Sequence, residues 1–97
     1  MLRHVVMFRR KRDVAKDEAL ERSLVDRLDA LGSQIPGMRG WRVGANELEG
    51  PISWDYVLES EADGVAALQA YLIHPLHKAV LKDARSYFEW AAVDFTV

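Results

Sequence analysis

Three histidines, His4, His74 and His77, are the residues of this 97-residue chain best suited to chemistry. Imidazole is the side chain that both gives and takes protons near neutral pH. Two of the three fall in one short run, Tyr71-Leu72-Ile73-His74-Pro75-Leu76-His77. Proline is unwelcome inside a helix but favoured at its first position, so a helix is expected to begin at Pro75. His77 is then its third residue, where the positive end of the helix dipole favours the neutral ring. A neutral imidazole can accept a proton from an acidic carbon or bind a substrate carbonyl. His74 precedes the proline, which restricts its backbone, and is read as a helix cap. His4 lies mid-strand among apolar residues, either as a pocket group or as a core histidine with a hidden partner. Tyr71 is a packing ring with a bonded hydroxyl or a hydroxyl facing a pocket.

Several other chemistries lack their residues. There is no cysteine, so disulfides, thiolate metal sites and cysteine nucleophiles are excluded. His74 and His77 straddle a helix start, which is a poor chelate, and zinc wants three or four protein ligands. Asp83 and Asp94 have no position assigned by spacing. No metal and no cofactor are expected. The chain has no Gly-rich phosphate loop, no Walker pattern and no G-x-S-x-G elbow. Thirteen Lys and Arg balance fifteen Asp and Glu for a net charge of -2, so neither nucleic acid nor an anionic membrane is expected as partner. The cluster Arg9-Arg10-Lys11-Arg12 is read as a solvated strand end. The short apolar start precedes these charges, the reverse of a secretion signal. No segment reaches the roughly 20 apolar residues of a membrane span. The chain is read as a cytoplasmic, non-membrane protein.

The elements that must position these residues follow from periodicity. Leu2 to Phe8 reads as a strand, with Leu2, His4, Val6 and Phe8 on one face and Arg3, Val5 and Met7 on the other. Ala15 to Leu31 reads as a helix whose Leu20, Leu24, Leu28 and Leu31 form one stripe, ended by Gly32 at positive φ. Met38 to Ala45 and Trp54 to Glu59 read as strands flanking a polar loop. Asp63 is expected to cap a helix from Gly64 to Leu72 that buries Val65, Leu68 and Leu72. A helix from Pro75 to Arg85 is expected to bury Leu76, Val80 and Leu81. Trp90 to Val97 reads as the last strand. The aromatics Trp41, Trp54, Tyr56, Trp90 and Phe95 stand at strand spacing and are assigned to core and interface.

The order is β-α-β-β-α-β with its second helical region broken in two. This is the ferredoxin-like α+β pattern, an antiparallel sheet with helices on one face, and the length suits one domain over residues 1–97. A chain of 11.0 kDa hides only ~65% of its unfolded surface on folding. The second sheet face is apolar in part and nothing in the chain is left to cover it, so a second copy is expected.

Arg3-His4-Val5-Val6-Met7-Phe8, Ile35-Pro36-Gly37-Met38, Gly44, the Tyr-x-x-His-Pro-x-His run at Tyr71 to His77, and Val93-Asp94-Phe95 occur in this order. Together they resemble the stress-responsive A/B barrel (Dabb) family of the dimeric α+β barrel superfamily. The resemblance implies a homodimer whose two sheets face one another as a barrel. Some members act as polyketide cyclases, which implies His4 and His77 as proton-handling groups with Tyr71 as a pocket hydroxyl. Where such cyclases place a helix-one tyrosine, this sequence has Leu28. Three functions follow: an enzyme or binder for a small hydrophobic carbonyl compound, a non-catalytic dimeric stress-related module, and, by superfamily analogy, a cofactor-free monooxygenase.

Overall fold

A computed structural model describes residues 1–97. In chain order it contains β1 (Leu2–Arg10), α1 (Glu18–Gln34), β2 (Met38–Ala45), β3 (Tyr56–Ala62), α2 (Val65–Leu72), α3 (Pro75–Ala84) and β4 (Phe88–Thr96). The four strands form one antiparallel sheet in the order β2-β3-β1-β4. This is the expected ferredoxin-like arrangement. β1 is central and pairs Val6 with Leu58 of β3 and Ala92 of β4. Its alternation sends His4 and Phe8 into the core, while Met7 faces outward.

The core lies between the sheet and the helices. Leu24, Leu28 and Leu31 of α1 meet Phe8, Leu58, Ala62 and Phe88 there. Asp17 caps α1 by accepting from the backbone N–H of Leu20 at 3.1 Å, as a short polar side chain at this position should. Leu20 itself is exposed, contrary to the expected stripe. In that first turn it is Glu21 that reaches inward, accepting from Tyr56 Oη at 2.6 Å and Tyr87 Oη at 2.7 Å.

Three further expectations are corrected. Gly32 does not end α1, which runs on to Gln34. Its lack of a side chain instead lets the Trp41 ring lie directly on the helix, where a Cβ would fall 2.2 Å from Trp41 Cγ. The positive φ angles belong to Gly37 and Gly40, in the turn into β2 and at its bulge. Asp63 does not cap α2, whose N-cap is Gly64 with no side-chain bond; Asp63 pairs with Arg39. Finally, α2 buries Leu68 and Tyr71 while Val65 and Leu72 are exposed, and α3 buries His77, Val80 and Ala84 while Leu76 is exposed. The inward face of α3 therefore follows the 3-and-4 spacing set by His77, since the N-cap at His74 fixes where the first turn points.

Arg9 and Arg10 are part of β1, not a solvated end. Arg9 lies over the Trp54 ring at 4.1 Å and bonds Glu89 at 2.7 Å, and the Arg10 guanidinium bonds the Val14 carbonyl.

The second sheet face carries no helix. By alternation from the strand pairing it presents Val5, Met7, Val57, Ala91, Val93 and Phe95, framed by Arg3 with Glu61 and Arg9 with Glu89. Met7, Val93 and Phe95 are 44%, 64% and 44% exposed.

Candidate functional site

The strand pairing builds one row of polar side chains on the helix side of the sheet. His4 of β1 stands opposite Ser60 of β3 and opposite Asp94 of β4. His4 is buried, and its Nδ1 lies 2.5 Å from Asp94 Oδ1. A carboxylate only accepts, so Nδ1 carries the proton and donates it; in the neutral ring Nε2 keeps its lone pair. A base held by an orienting carboxylate is the arrangement by which enzymes fix a histidine tautomer and stabilise the imidazolium that forms when it takes a proton.

His77 enters the same space from above. Pro75 opens α3, and His74 caps it by accepting from the Leu76 N–H at 3.1 Å, so the structural reading of His74 holds. The first turn then carries His77 inward. Its Nδ1 donates to the carbonyl of Leu72, at the end of α2, at 2.9 Å. This ring too is thereby fixed with Nε2 as its free nitrogen. Burial pushes the His77 pKa below the usual histidine range; the bond to Leu72 opposes this only in part, and any charge on His4 or His74 adds to the lowering. His77 is neutral at pH 7.

Tyr71, in the last turn of α2, sits between these groups. Its ring centroid is 4.5 Å from that of His77, 5.8 Å from His4 and 5.4 Å from Trp41. Burial raises its pKa, so the phenol keeps its proton and serves as a donor. Trp41 is held in turn by its Nε1–H bond to the Leu28 carbonyl at 3.2 Å.

His4, Tyr71 and His77 line a single cavity of about 130 Å³, walled by apolar side chains including Leu28, Leu58, Phe88 and Trp90. Two of its lining residues, Leu72 and Ala92, are exposed. Only Ser60 Oγ is a sealed side-chain polar atom without a partner. The Nε2 atoms of His4 and His77, the Tyr71 hydroxyl and the Trp90 indole N–H have no hydrogen-bond partner in the chain and are not sealed off, and all four residues line the cavity. No group of three His, Asp or Glu side chains converges as a metal site. Leu28 gives the cavity a hydrocarbon wall on the α1 side.

The residues singled out from sequence, His4, His77 and Tyr71, are thus brought together. The one missed was Asp94. Its signal was available: β4 beside β1 in antiparallel register puts the polar alternates of β4 on the helix side, opposite His4.

A family model for the stress responsive A/B barrel domain matches residues 2–97. The chain belongs to this family. An uncharacterized protein of Streptomyces coelicolor is 35% identical over 95 residues, 98% of each chain. A dimeric ferredoxin-like protein of unknown function from Bacteroides fragilis superposes with a TM-score of 0.84 at 29% identity, covering 99% of this chain and 95% of its own. A similar dimeric protein from Thermobifida fusca gives 0.83 at 25% identity, covering 99% and 90%. Two enzymes share this family's fold at lower identity. A hydroxynitrile lyase of Passiflora edulis is 17% identical with a TM-score of 0.79, covering 99% and 92%. A cofactor-independent oxygenase of Streptomyces nogalater is 18% identical with a TM-score of 0.72, covering 99% and 91%.

Proposed function

We propose that this A/B barrel protein is a cofactor-free acid–base catalyst acting on a small hydrophobic carbonyl compound. The observation that carries the reading is the His4–Asp94 bond, with His4 Nε2 open to the same apolar cavity as His77 and Tyr71. In this scheme the Tyr71 hydroxyl donates to the substrate carbonyl oxygen. His4 Nε2 takes a proton from the adjacent carbon: the C–H bond breaks, its electron pair forms the carbon–carbon double bond, and the carbonyl π pair moves onto oxygen to give an enolate. Asp94 stabilises the imidazolium, which then returns the proton to the product. His77, neutral, accepts from a hydroxyl of the substrate or acts as the second base. The apolar walls exclude water and strengthen each of these polar contacts.

The working unit in this proposal is a homodimer. The open sheet face combines exposed Met7, Val93 and Phe95 with ordered ion pairs, a composition suited to a specific interface between two copies. The two similar structures described as dimeric support this reading.

The test is turnover of a panel of β-keto compounds by the full chain and by His4→Gln and His77→Gln. General acid–base groups contribute on the order of 10²–10⁴ in rate, so His4→Gln should lose at least 100-fold. Folded variants that both turn over at the parental rate would refute the assignment.

A further inference from the structure

Only β2 and β3 follow one another directly, and between them the chain makes a long excursion from Asn46 to Asp55. Most hairpin loops need only about two to five residues. This one is built, not slack. The Asn46 N–H closes its neck on the Asp55 carbonyl at 2.8 Å, and Asp55 ties it to Phe8 and Arg10 of β1. The Leu48 carbonyl accepts from the Asn46 side-chain amide and from the Ser53 hydroxyl, each at 3.1 Å. The Ser53 N–H closes a turn on the Gly50 carbonyl at 3.1 Å. Yet this ordered loop holds two large aliphatic side chains in water. Leu48 is 83% exposed and Ile52 92%, more than any other large hydrophobic residue of the chain. Neither belongs to the core.

We infer that the β2–β3 loop is a docking arm that buries Leu48 and Ile52 against a second copy of the chain, which rests on the reading of the open sheet face as the homodimer interface. Two observations point to that occupant. The loop runs straight into Trp54, whose ring lies under the Arg9 guanidinium at 4.1 Å. Arg9 and its partner Glu89 frame the open sheet face, so loop and face form one continuous surface. The face is also too small to serve alone. Its strands are seven to nine residues long. At about 3.3 Å per residue and about 4.8 Å between strands, they span roughly 500 Å² in plan. A standard interface takes about 800 Å² from each partner. The adjoining loop, with its two aliphatic side chains, makes up the difference. Because hydrogen bonds already hold it in shape, little freedom is lost when it docks. A lipid surface suits it poorly, since Glu47, Glu49 and Asp55 surround the two side chains and anionic headgroups repel them.

The chain has no cysteine, so Ile52→Cys introduces a single thiol whose reaction with 5,5′-dithiobis(2-nitrobenzoate) reports its burial. Val65→Cys, at a position 61% exposed on α2 and away from the sheet, is the control. Light scattering on the same samples fixes the number of copies. Where the chains are paired, the Ile52→Cys thiol should react roughly tenfold more slowly than the control, since reactivity follows access. Adding Val93→Glu, which separates the copies, should restore the fast rate. Leu48→Ser with Ile52→Ser should raise the dimer Kd about tenfold or more, as loss of central apolar anchors does, with far-UV circular dichroism unchanged. Paired chains whose Ile52→Cys thiol reacts as fast as the control overturn the inference and leave the sheet-face dimer standing. So does a double variant that pairs as tightly as the parent. A parent chain that stays a single copy at micromolar concentration and above overturns both the inference and the reading beneath it.

Discussion

Replacing Gly32 by Ala reverses an ordinary expectation. Inside a helix, Gly→Ala stabilises by about 1 kcal/mol, because alanine has the better propensity and glycine the larger entropy to lose. Gly32 lies inside α1, so that gain should appear. The new Cβ, however, would stand 2.2 Å from Trp41 Cγ and 2.6 Å from both Trp41 Cβ and Cδ1. Ordinary carbon contacts begin near ~3.5 Å, so the indole must retreat by roughly 1 Å. It has little freedom to do so. Its Nε1 is bonded to the Leu28 carbonyl at 3.2 Å and its ring leans on Tyr71 at 5.4 Å. Overpacking of this kind costs about 1–3 kcal/mol, and a lost hydrogen bond adds about 1 kcal/mol. The net expectation is destabilisation by about 1–3 kcal/mol, or about 5–20 °C in Tm for a chain of this size. Urea denaturation at unchanged m-value measures it. The cycle with Trp41→Ala isolates the cause: with the indole gone, Gly32→Ala should become stabilising by about 1 kcal/mol. A Gly32→Ala variant as stable as the parent, or more stable, would refute the packing argument.

Four further outcomes are expected. Asp94→Asn should slow any His4-dependent turnover about tenfold or more, because an amide holds the Nδ1–H less strongly than a carboxylate and a tenfold loss corresponds to ~1.4 kcal/mol; ring ¹⁵N shifts should show His4 sampling both tautomers. The pKa of His77 lies lower in the folded chain than the ordinary 6.5, so the unfolded chain binds more protons and stability falls as pH drops below 6.5; urea midpoints at pH 7.5, 6.5 and 5.5 should show this fall, and His77→Gln should flatten it. Burial opposes the charge on Glu21, but the hydroxyls of Tyr56 and Tyr87, with Lys16 and Arg10 nearby, outweigh it and hold the carboxyl below its ordinary 4.5; Glu21→Gln should cost about 1 kcal/mol at pH 7 and remove stability that the parent loses as pH falls below 4.5. Val93→Glu, on the open sheet face, should shift the species seen by light scattering from two copies to one at micromolar concentration, with unchanged far-UV circular dichroism.

The fold was legible wherever one residue period dominated. Leu24, Leu28 and Leu31 marked α1, the alternation of β1 separated His4 and Phe8 from Met7, and Pro75 announced α3. What escaped depended on partners distant in sequence. Gly32 looked like a terminator because a lone glycine is a common C-cap; its actual reason is an indole arriving from β2. Asp63 looked like a cap, yet Arg39 claims its carboxylate. The inward face of α3 was taken from the apolar Leu76 and Leu81, and the helix turned a histidine inward in place of Leu76. The site divided in the same way. His77 and Tyr71 were readable because one run of sequence carries both. Asp94 required knowledge of which strand lies beside β1, since ninety residues separate it from His4 and only the sheet register joins them.

That register has a dynamic consequence. β4 is an edge strand, bonded within the sheet to β1 alone, whereas β1 is held on both sides. Edges open locally at lower free energy than the strands inside them. Fraying of the last few residues of β4 would carry the aspartate away from its imidazole while the leucine core stayed intact. The orientation of His4 is therefore tied to an edge seam of the sheet, and anything that clamps that seam would tune reactivity without touching the cavity.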